Sequence, residues 1–105
     1  MASRQAQPTR MARLSADELS ILCEQIALIV RSGLPLHDGV EALCDNYKST
    51  RYAERFDRLR ETVLTTGQLY GGLVAAGIFP TYMSEMAHIG EQAGELETVM
   101  AGLAL

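Results

Sequence analysis

The residues best suited to chemistry in this chain are three glutamates close together near its end, Glu91, Glu95 and Glu97. Carboxylates at this spacing could together bind a hard cation such as Ca²⁺. Calcium, however, takes roughly six to eight oxygen ligands, and no Asp-rich loop is present to supply the others. Glu91 also precedes a predicted sixth helix, whose N-terminal dipole favours a carboxylate. We therefore predict that Glu91 caps that helix or faces solvent, and cation binding is the alternative for this residue.

The two histidines, His37 and His88, stand alone in the sequence. Neither belongs to the i,i+4 pattern of ligands that zinc sites use. We expect His37 to be solvated and His88 to lie on the outer face of the fifth helix. The sequence also contains no G-x-S-x-G, Walker or Rossmann pattern. We therefore predict no catalytic residue, no cofactor and no metal beyond the alternative at Glu91, so the chain is not an enzyme.

The two cysteines, Cys23 and Cys44, form neither a CxxC motif nor a zinc pattern. Each lies on the apolar stripe of a predicted helix, and an antiparallel hairpin around Gly33 and Pro35 could bring them close together. The favoured interpretation is two small buried hydrophobic residues in a reducing compartment.

The charge of the chain is unevenly distributed, although the formal net charge is only −4. All nine Lys and Arg residues lie between Arg4 and Arg60. An acidic balance gives no reason to expect nucleic-acid binding. The basic run is interleaved with acids and is typical of a solvated helix face. The alternative is a docking patch for an acidic partner or anionic lipid headgroups, formed by Lys48, Arg51, Arg55 and Arg58.

Apolar residues recur at helical spacing along most of the chain, and no period-two alternation competes with them. The pattern predicts an all-α fold, an antiparallel bundle of about six helices, over residues 14–105. Residues 1–13 are predicted to be a flexible tail. The predicted helices cover about 16–31, 35–45, 51–66, 68–76, 80–93 and 95–105.

The same stripes predict the core and a surplus of apolar surface. The predicted core residues are Leu22, Ile26, Leu43, Phe56, Leu59, Met86, Leu96 and Leu103. The inward residues of the fifth helix are predicted to be Tyr82, Met83, Met86, Ala87 and Gly90. The apolar side chains beyond the main stripes should drive self-association with two-fold symmetry. They are those of Ile21, Leu28, Ile29, Ile89 and Leu105.

One uncharged stretch, residues 62–84, is long enough to cross a bilayer. Its glycines, its proline and its polar side chains would be costly in hydrocarbon, so we do not predict a spanning helix there. The last residues, from Met100 to Leu105, lack a helix stop signal. We therefore expect the chain to be a fragment of a longer protein.

Five short motifs occur in order, and the most specific is the glycine joint at residues 90–96. They are Leu14-Ser15 with Gln25, Gly33-Leu34-Pro35-Leu36, Leu69 to Leu73, Phe79-Pro80, and Gly90-Glu91-Gln92-Ala93-Gly94-Glu95-Leu96. Together they resemble a cytoplasmic domain of the type II secretion system protein F family, the inner-membrane platform proteins of secretion and type IV pilus machines. Gly39 and Gly72 depart from the family pattern, which usually has alanine there.

The resemblance implies a non-enzymatic scaffold on the cytoplasmic side of the inner membrane. It implies coupling of the assembly ATPase to the assembly of pilin-like subunits, homo-oligomerisation, and attachment to the membrane through segments outside this chain. The alternative function is a soluble helical adaptor, unrelated to secretion, that dimerises and binds a partner helix.

Overall fold

A computed structural model describes residues 13–105, and the predicted tail lies almost wholly outside that range. The described residues form six helices and no strand, which confirms the predicted all-α fold. The helices are α1 (Ala16–Ser32), α2 (Leu36–Asp45), α3 (Ala53–Thr66), α4 (Leu69–Ala76), α5 (Thr81–Ala93) and α6 (Leu96–Leu103).

The first helix begins and ends where its sequence signals predict. The Ser15 hydroxyl accepts the N–H of Glu18 at 3.1 Å, and the Glu18 carboxylate accepts the N–H of Ser15 at 2.8 Å. This reciprocal capping box satisfies two N–H groups that lack helical partners. At the other end, Gly33 adopts the left-handed conformation with φ 79°. A residue without a Cβ takes that conformation without steric cost, so α1 stops there.

Each helix packs against its neighbours in the chain, and α6 returns to pack against α1. Near one end of this contact, the Ser20 hydroxyl donates to the backbone oxygen of Ala104. Near the other end, Arg31 pairs with Glu97 at 2.8 Å. These two contacts make α1 and α6 antiparallel. The return of α6 brings the end of the chain beside its first helix.

The core lies inside this ring of helices and contains most of the predicted residues. Leu22, Ile26, Leu43, Phe56 and Leu59 are buried, whereas Leu96 and Leu103 are half-buried against the core.

The inward face of α5 was predicted only in part, because Met83, Ala87 and Gly90 are buried as expected but Tyr82 and Met86 are not. Tyr82 and Met86 are 57% and 37% exposed, and the buried side chains of the helix are those of Met83, Ser84 and Ala87. Two overlapping apolar stripes run along α5, so periodicity could not choose between them. The stripe that continues to Gly90 faces inward, because a glycine there allows α6 to approach closely.

Gly39 and Gly72 have packing roles that the sequence pattern did not indicate. A Cβ on Gly39 would overlap the side chain of Ile29, which shows that Ile29 packs directly on Gly39. Ile29 is therefore half-buried, although it was predicted to belong to the exposed apolar surface. A Cβ on Gly72 would lie 2.7 Å from carbon atoms of both Leu59 and Val63. Both glycines therefore allow consecutive helices to approach closely.

Alanine at Gly72 is expected to lower the free energy of unfolding by about 1–2 kcal/mol. A Cβ that overlaps carbon atoms of both Leu59 and Val63 should cost about 2–3 kcal/mol of overpacking, and the gain in helix propensity offsets about 1 kcal/mol of that cost. Gly71 is a matched control in the same helix, since its added Cβ would lie at an ordinary 3.4 Å from Thr62. Gly71→Ala should be neutral or stabilising in urea unfolding. Equal effects of the two substitutions would contradict this packing role.

Candidate functional site

The most specific polar contact in the fold joins the glycine motif of α5 to the start of α4. The two carboxylate oxygens of Glu91 accept the backbone N–H groups of Leu69 at 2.5 Å and Tyr70 at 3.0 Å. No side chain of α4 itself caps this end of the helix. Glu91 therefore satisfies two otherwise unpaired donors and places a negative charge at the positive end of the helix dipole.

This contact corrects the prediction for Glu91, which assigned it to the start of the sixth helix. The carboxylate caps α4, 21 and 22 residues earlier in the chain. The reason is geometric, because the side chain of Glu91 leaves α5 on the side that packs against α4. Because both of its oxygens accept hydrogen bonds from backbone N–H groups, the carboxylate of Glu91 contacts another helix of the domain.

The other residues of the motif shape the turn from α5 into α6. Gly94 has φ 70° and donates its N–H to the backbone oxygen of Glu91, and the Glu95 N–H donates to Gly90 at 2.7 Å. This pair of bonds is the Schellman arrangement that ends a helix. A Cβ on Gly90 would lie 3.1 Å from the Cα of Leu96, so the missing side chain permits a close approach of α6.

The two proline motifs occupy the turns before α2 and α5. Pro35 and Pro80 precede the first residues of these helices, where a missing N–H has no cost. Leu36 is half-buried against the core, whereas Leu34 is 55% exposed. The ring of Phe79 lies half-buried against that of Phe56, with centroids 6.1 Å apart and an interplanar angle of 83°.

The helix order and the motif geometry agree with a comparison against known families. The family model described as type II secretion system (T2SS), protein F, matches residues 22–105. The chain belongs to the type II secretion system protein F family. This match covers α2 to α6 and most of α1.

Members of this family are non-catalytic components of inner-membrane secretion and type IV pilus machinery, and membership indicates a role in such machinery for this chain. Within residues 13–105, no helix combines the length and the apolar character that a bilayer crossing requires. In the same part of the chain, no three His, Cys, Asp or Glu side chains converge as metal ligands.

The candidate docking patch of this F-family domain is partly neutralised by its own acids. Lys48 lies 3.5 Å from Asp45, and Arg58 lies 3.6 Å from Glu54, four residues earlier in the same helix. The guanidinium carbon of Arg51 lies 5.4 Å above the ring of its neighbour Tyr52. Exposed ion pairs such as these two contribute little to the stability of a fold.

Arg55, the fourth residue of that patch, has a different role. It is half-buried, and its Nη1 would lie 3.2 Å from a Cβ on Gly77, the residue that ends α4. A cation at this end complements the negative end of the helix dipole. The short helix α4 therefore has Glu91 at its first turn and Arg55 at its last. No sequence signal linked Arg55 to Gly77, because the two residues belong to different elements.

The histidines differ in how well they were predicted. His37 is exposed, with its Nε2 3.1 Å from the carboxylate of Asp38. His88 was expected on the outer face of α5, but it is half-buried and its ring centroid lies 4.3 Å from that of Tyr70. Tyr70 follows the first residue of α4, so the α4–α5 packing that engages Glu91 also covers His88.

Both cysteines are free and buried, as the sequence predicts. The Cys23 sulfur lies 3.9 Å from that of Met83, and the Cys44 thiol donates to the backbone oxygen of Phe56 at 3.3 Å. Burial raises the pKa of Cys23 to about 11 and that of Cys44 to about 12. Neutral buried thiols are poor nucleophiles, so these positions fill the core.

The raised pKa of Cys44 predicts a loss of stability in alkaline solution. Its folded-state pKa of about 12 exceeds the ordinary value of 9.0. The neutral Cys44 thiol therefore makes its full contribution to folding stability below the ordinary pKa of 9.0. That contribution is lost as the pH rises from 9.0 through the folded-state pKa of about 12. Between pH 8 and 10.5 the wild-type protein should lose about 1 kcal/mol more unfolding free energy than Cys44→Ala, allowing for solvent screening. Urea titrations at several pH values measure the difference, and parallel curves would contradict it.

Proposed function

We propose that residues 14–105 form a non-enzymatic scaffold domain on the cytoplasmic side of the inner membrane. It would couple the assembly ATPase of a type II secretion or type IV pilus machine to the assembly of pilin-like subunits. The mechanism is docking and movement of a rigid helical body. The chain would be one domain of a longer membrane protein, held at the membrane by segments outside these residues.

The observation that best supports this proposal is the contact between the family motif and α4, which Glu91 makes. Glu91 is the one charged side chain in the Gly90–Gly94 portion of the family motif, and both of its oxygens bind the start of α4. Gly90 and Gly94 serve the joint between α5 and α6. The motif therefore stabilises a rigid arrangement of three helices, which suits a protein that transmits force between partners.

The family match favours this scaffold over an adaptor unrelated to secretion, because it covers residues 22–105. The mixed-charge surface around the start of α3 is the docking surface that we assign to the ATPase. There Lys48, Arg51 and Arg58 are exposed, while Arg55 remains with α4. The exposed ion pairs could exchange their carboxylates for those of an acidic partner at little cost.

The test is binding between the purified domain and the assembly ATPase encoded with it, measured by biolayer interferometry. Replacing Lys48, Arg51 and Arg58 by glutamine should weaken binding roughly tenfold and reduce its dependence on salt. The control is Glu85→Gln on the exposed side of α5, which should bind like the wild-type domain. Equal binding by the triple variant would exclude this surface. No binding by the wild-type domain would remove the ATPase as its direct partner.

A further inference from the structure

One of the two apolar stripes of α5 faces solvent along the helix. Tyr82, Met86 and Ile89 are 57%, 37% and 54% exposed, and Ala93 continues the line as another exposed residue. Their spacing places these side chains on one side of the helix over three turns, a length of roughly 16 Å. We call these four residues the α5 stripe. Their exposure leaves the stripe open to a partner.

The surroundings of the α5 stripe are acidic. Residues 61–105 contain five glutamates and no lysine or arginine. Glu85 is exposed on α5 beside the stripe, one turn before Ile89, and Glu95 is exposed in the turn that follows Ala93. Within residues 13–105, neither of these two carboxylates has a cation within salt-bridge distance. The stripe is therefore an apolar surface bordered by negative charges that no neighbouring side chain neutralises.

This combination fits a basic amphipathic helix. Such a helix contacts a hydrophobic surface through apolar residues three, four and seven positions apart, which is also the spacing within the α5 stripe. Lysine or arginine beside those apolar residues would pair with Glu85 and Glu95, whereas an acidic partner or an anionic lipid surface would be repelled. We propose that the α5 stripe docks an amphipathic helix of a partner protein, whose apolar face is flanked by Lys or Arg.

The side chains of the stripe suit this role. Methionine is flexible and polarisable, so Met86 can adapt to the shape of a partner helix. Tyr82 presents an apolar ring with a polar tip, which is favourable where one side of a contact remains wet. Ile89 lies near the middle of the stripe and supplies its largest aliphatic surface. The centre of the contact is therefore apolar, and its borders are charged.

The other exposed surfaces fit this partner less well. Leu28 of α1 is 50% exposed, but it has both an acid and a base beside it, Glu24 and Arg31. The surface assigned to the ATPase carries exposed cations and would repel a basic helix. The inference therefore goes beyond the scaffold function, because it concerns a different surface and a partner of opposite charge.

Binding of a synthetic peptide tests the proposal. The probe is a fluorescein-labelled peptide of about 18 residues, or five helical turns, with leucines at helical spacing, lysines on both flanks and alanines elsewhere. Fluorescence anisotropy with the full 105-residue chain should show saturable binding that weakens as salt is added. A second peptide, with glutamate in place of every lysine, should bind roughly tenfold more weakly.

Two variants with matched controls locate the site. Ile89→Ser should weaken peptide binding roughly tenfold, because it removes an apolar side chain that the peptide would bury. Leu64→Ser changes an apolar residue of α3 that is 61% exposed, and it should bind like the wild-type chain. Glu85→Gln should weaken binding roughly threefold and reduce its dependence on salt. Glu41→Gln, at an exposed acid of α2, should change neither.

The outcomes separate this docking site from ATPase binding and from other occupants. Glu85→Gln should leave ATPase binding unchanged, so the two proposals can fail independently. Circular dichroism melts show that each variant is folded. The proposal is overturned if the wild-type chain does not bind the lysine peptide, if Ile89→Ser binds it equally well, or if both peptides bind alike. It is also overturned if Ile89→Ser instead abolishes binding to phosphatidylglycerol vesicles, or self-association in sedimentation velocity, because the stripe would then belong to a membrane or to a second copy.

Discussion

Replacing Phe56 by alanine is expected to lower the free energy of unfolding by about 3–5 kcal/mol. Phe56 is 1% exposed in α3. Its ring stacks on Tyr47 with centroids 4.0 Å apart and meets Phe79 edge to face. Tyr47 and Phe79 belong to the connections before α3 and before α5. Alanine would remove both aromatic contacts and leave a cavity where these connections close the core.

Urea unfolding followed by circular dichroism measures this effect, and two variants calibrate it. Phe56→Leu keeps most of the buried volume and should lose less than half as much stability as Phe56→Ala. Leu64→Ala changes a side chain in the same helix that is 61% exposed, and its effect should stay within about 0.5 kcal/mol. If Phe56→Ala unfolds at nearly the wild-type urea concentration, then Phe56 is not central to the core.

The sequence predicted most accurately the features that depend on nearby residues. The capping box at Ser15 and Glu18 and the stop at Gly33 each involve a few consecutive residues with one favoured geometry. The turn at Gly94 likewise depends on a few consecutive residues. For this reason the number, the order and most of the bounds of the helices could be predicted before the structure was known.

The face of α5 shows where periodicity stops being sufficient. Tyr82, Met86 and Ile89 form one apolar stripe, and Met83, Ala87 and Gly90 form another beside it. Both have helical spacing, so the pattern allowed either to face inward. The close approach of α6 at Gly90 decides between them, and that distance depends on packing across the whole domain.

The contacts that the sequence did not predict join residues far apart in the chain. Arg55 of α3 lies at the end of α4 beside Gly77, and Ile29 of α1 packs on Gly39 of α2. Such pairs carry no fixed spacing, because their separation depends on loop lengths and helix angles. The partner of Glu91 belongs to the same class. Its sequence position predicted a cap for the sixth helix or a solvated side chain, whereas its carboxylate caps α4, which lies earlier in the chain.

Removing the carboxylate of Glu91 should have the largest effect of any substitution in the glycine motif. Glu91→Ala is expected to lower the free energy of unfolding by about 2–3 kcal/mol, because the partly buried N–H groups of Leu69 and Tyr70 lose a charged acceptor. Glu91→Gln keeps one acceptor oxygen and loses the charge, so its loss should be smaller, about 1–2 kcal/mol. The weakened helix is α4, in which Gly71 and Gly72 already lower helix propensity.

Hydrogen exchange locates the effect, because the amides of α4 should exchange faster in both variants while those at the centre of α1 change less. Gln92→Ala is the matched control, since Gln92 is the exposed neighbour of Glu91 in the same helix and should change stability by less than about 0.5 kcal/mol. Repeating the unfolding series with a chelator and with added calcium separates capping from cation binding. A helix cap predicts the full loss in the chelator, whereas a calcium ligand predicts that Glu91→Ala is harmless until calcium is added.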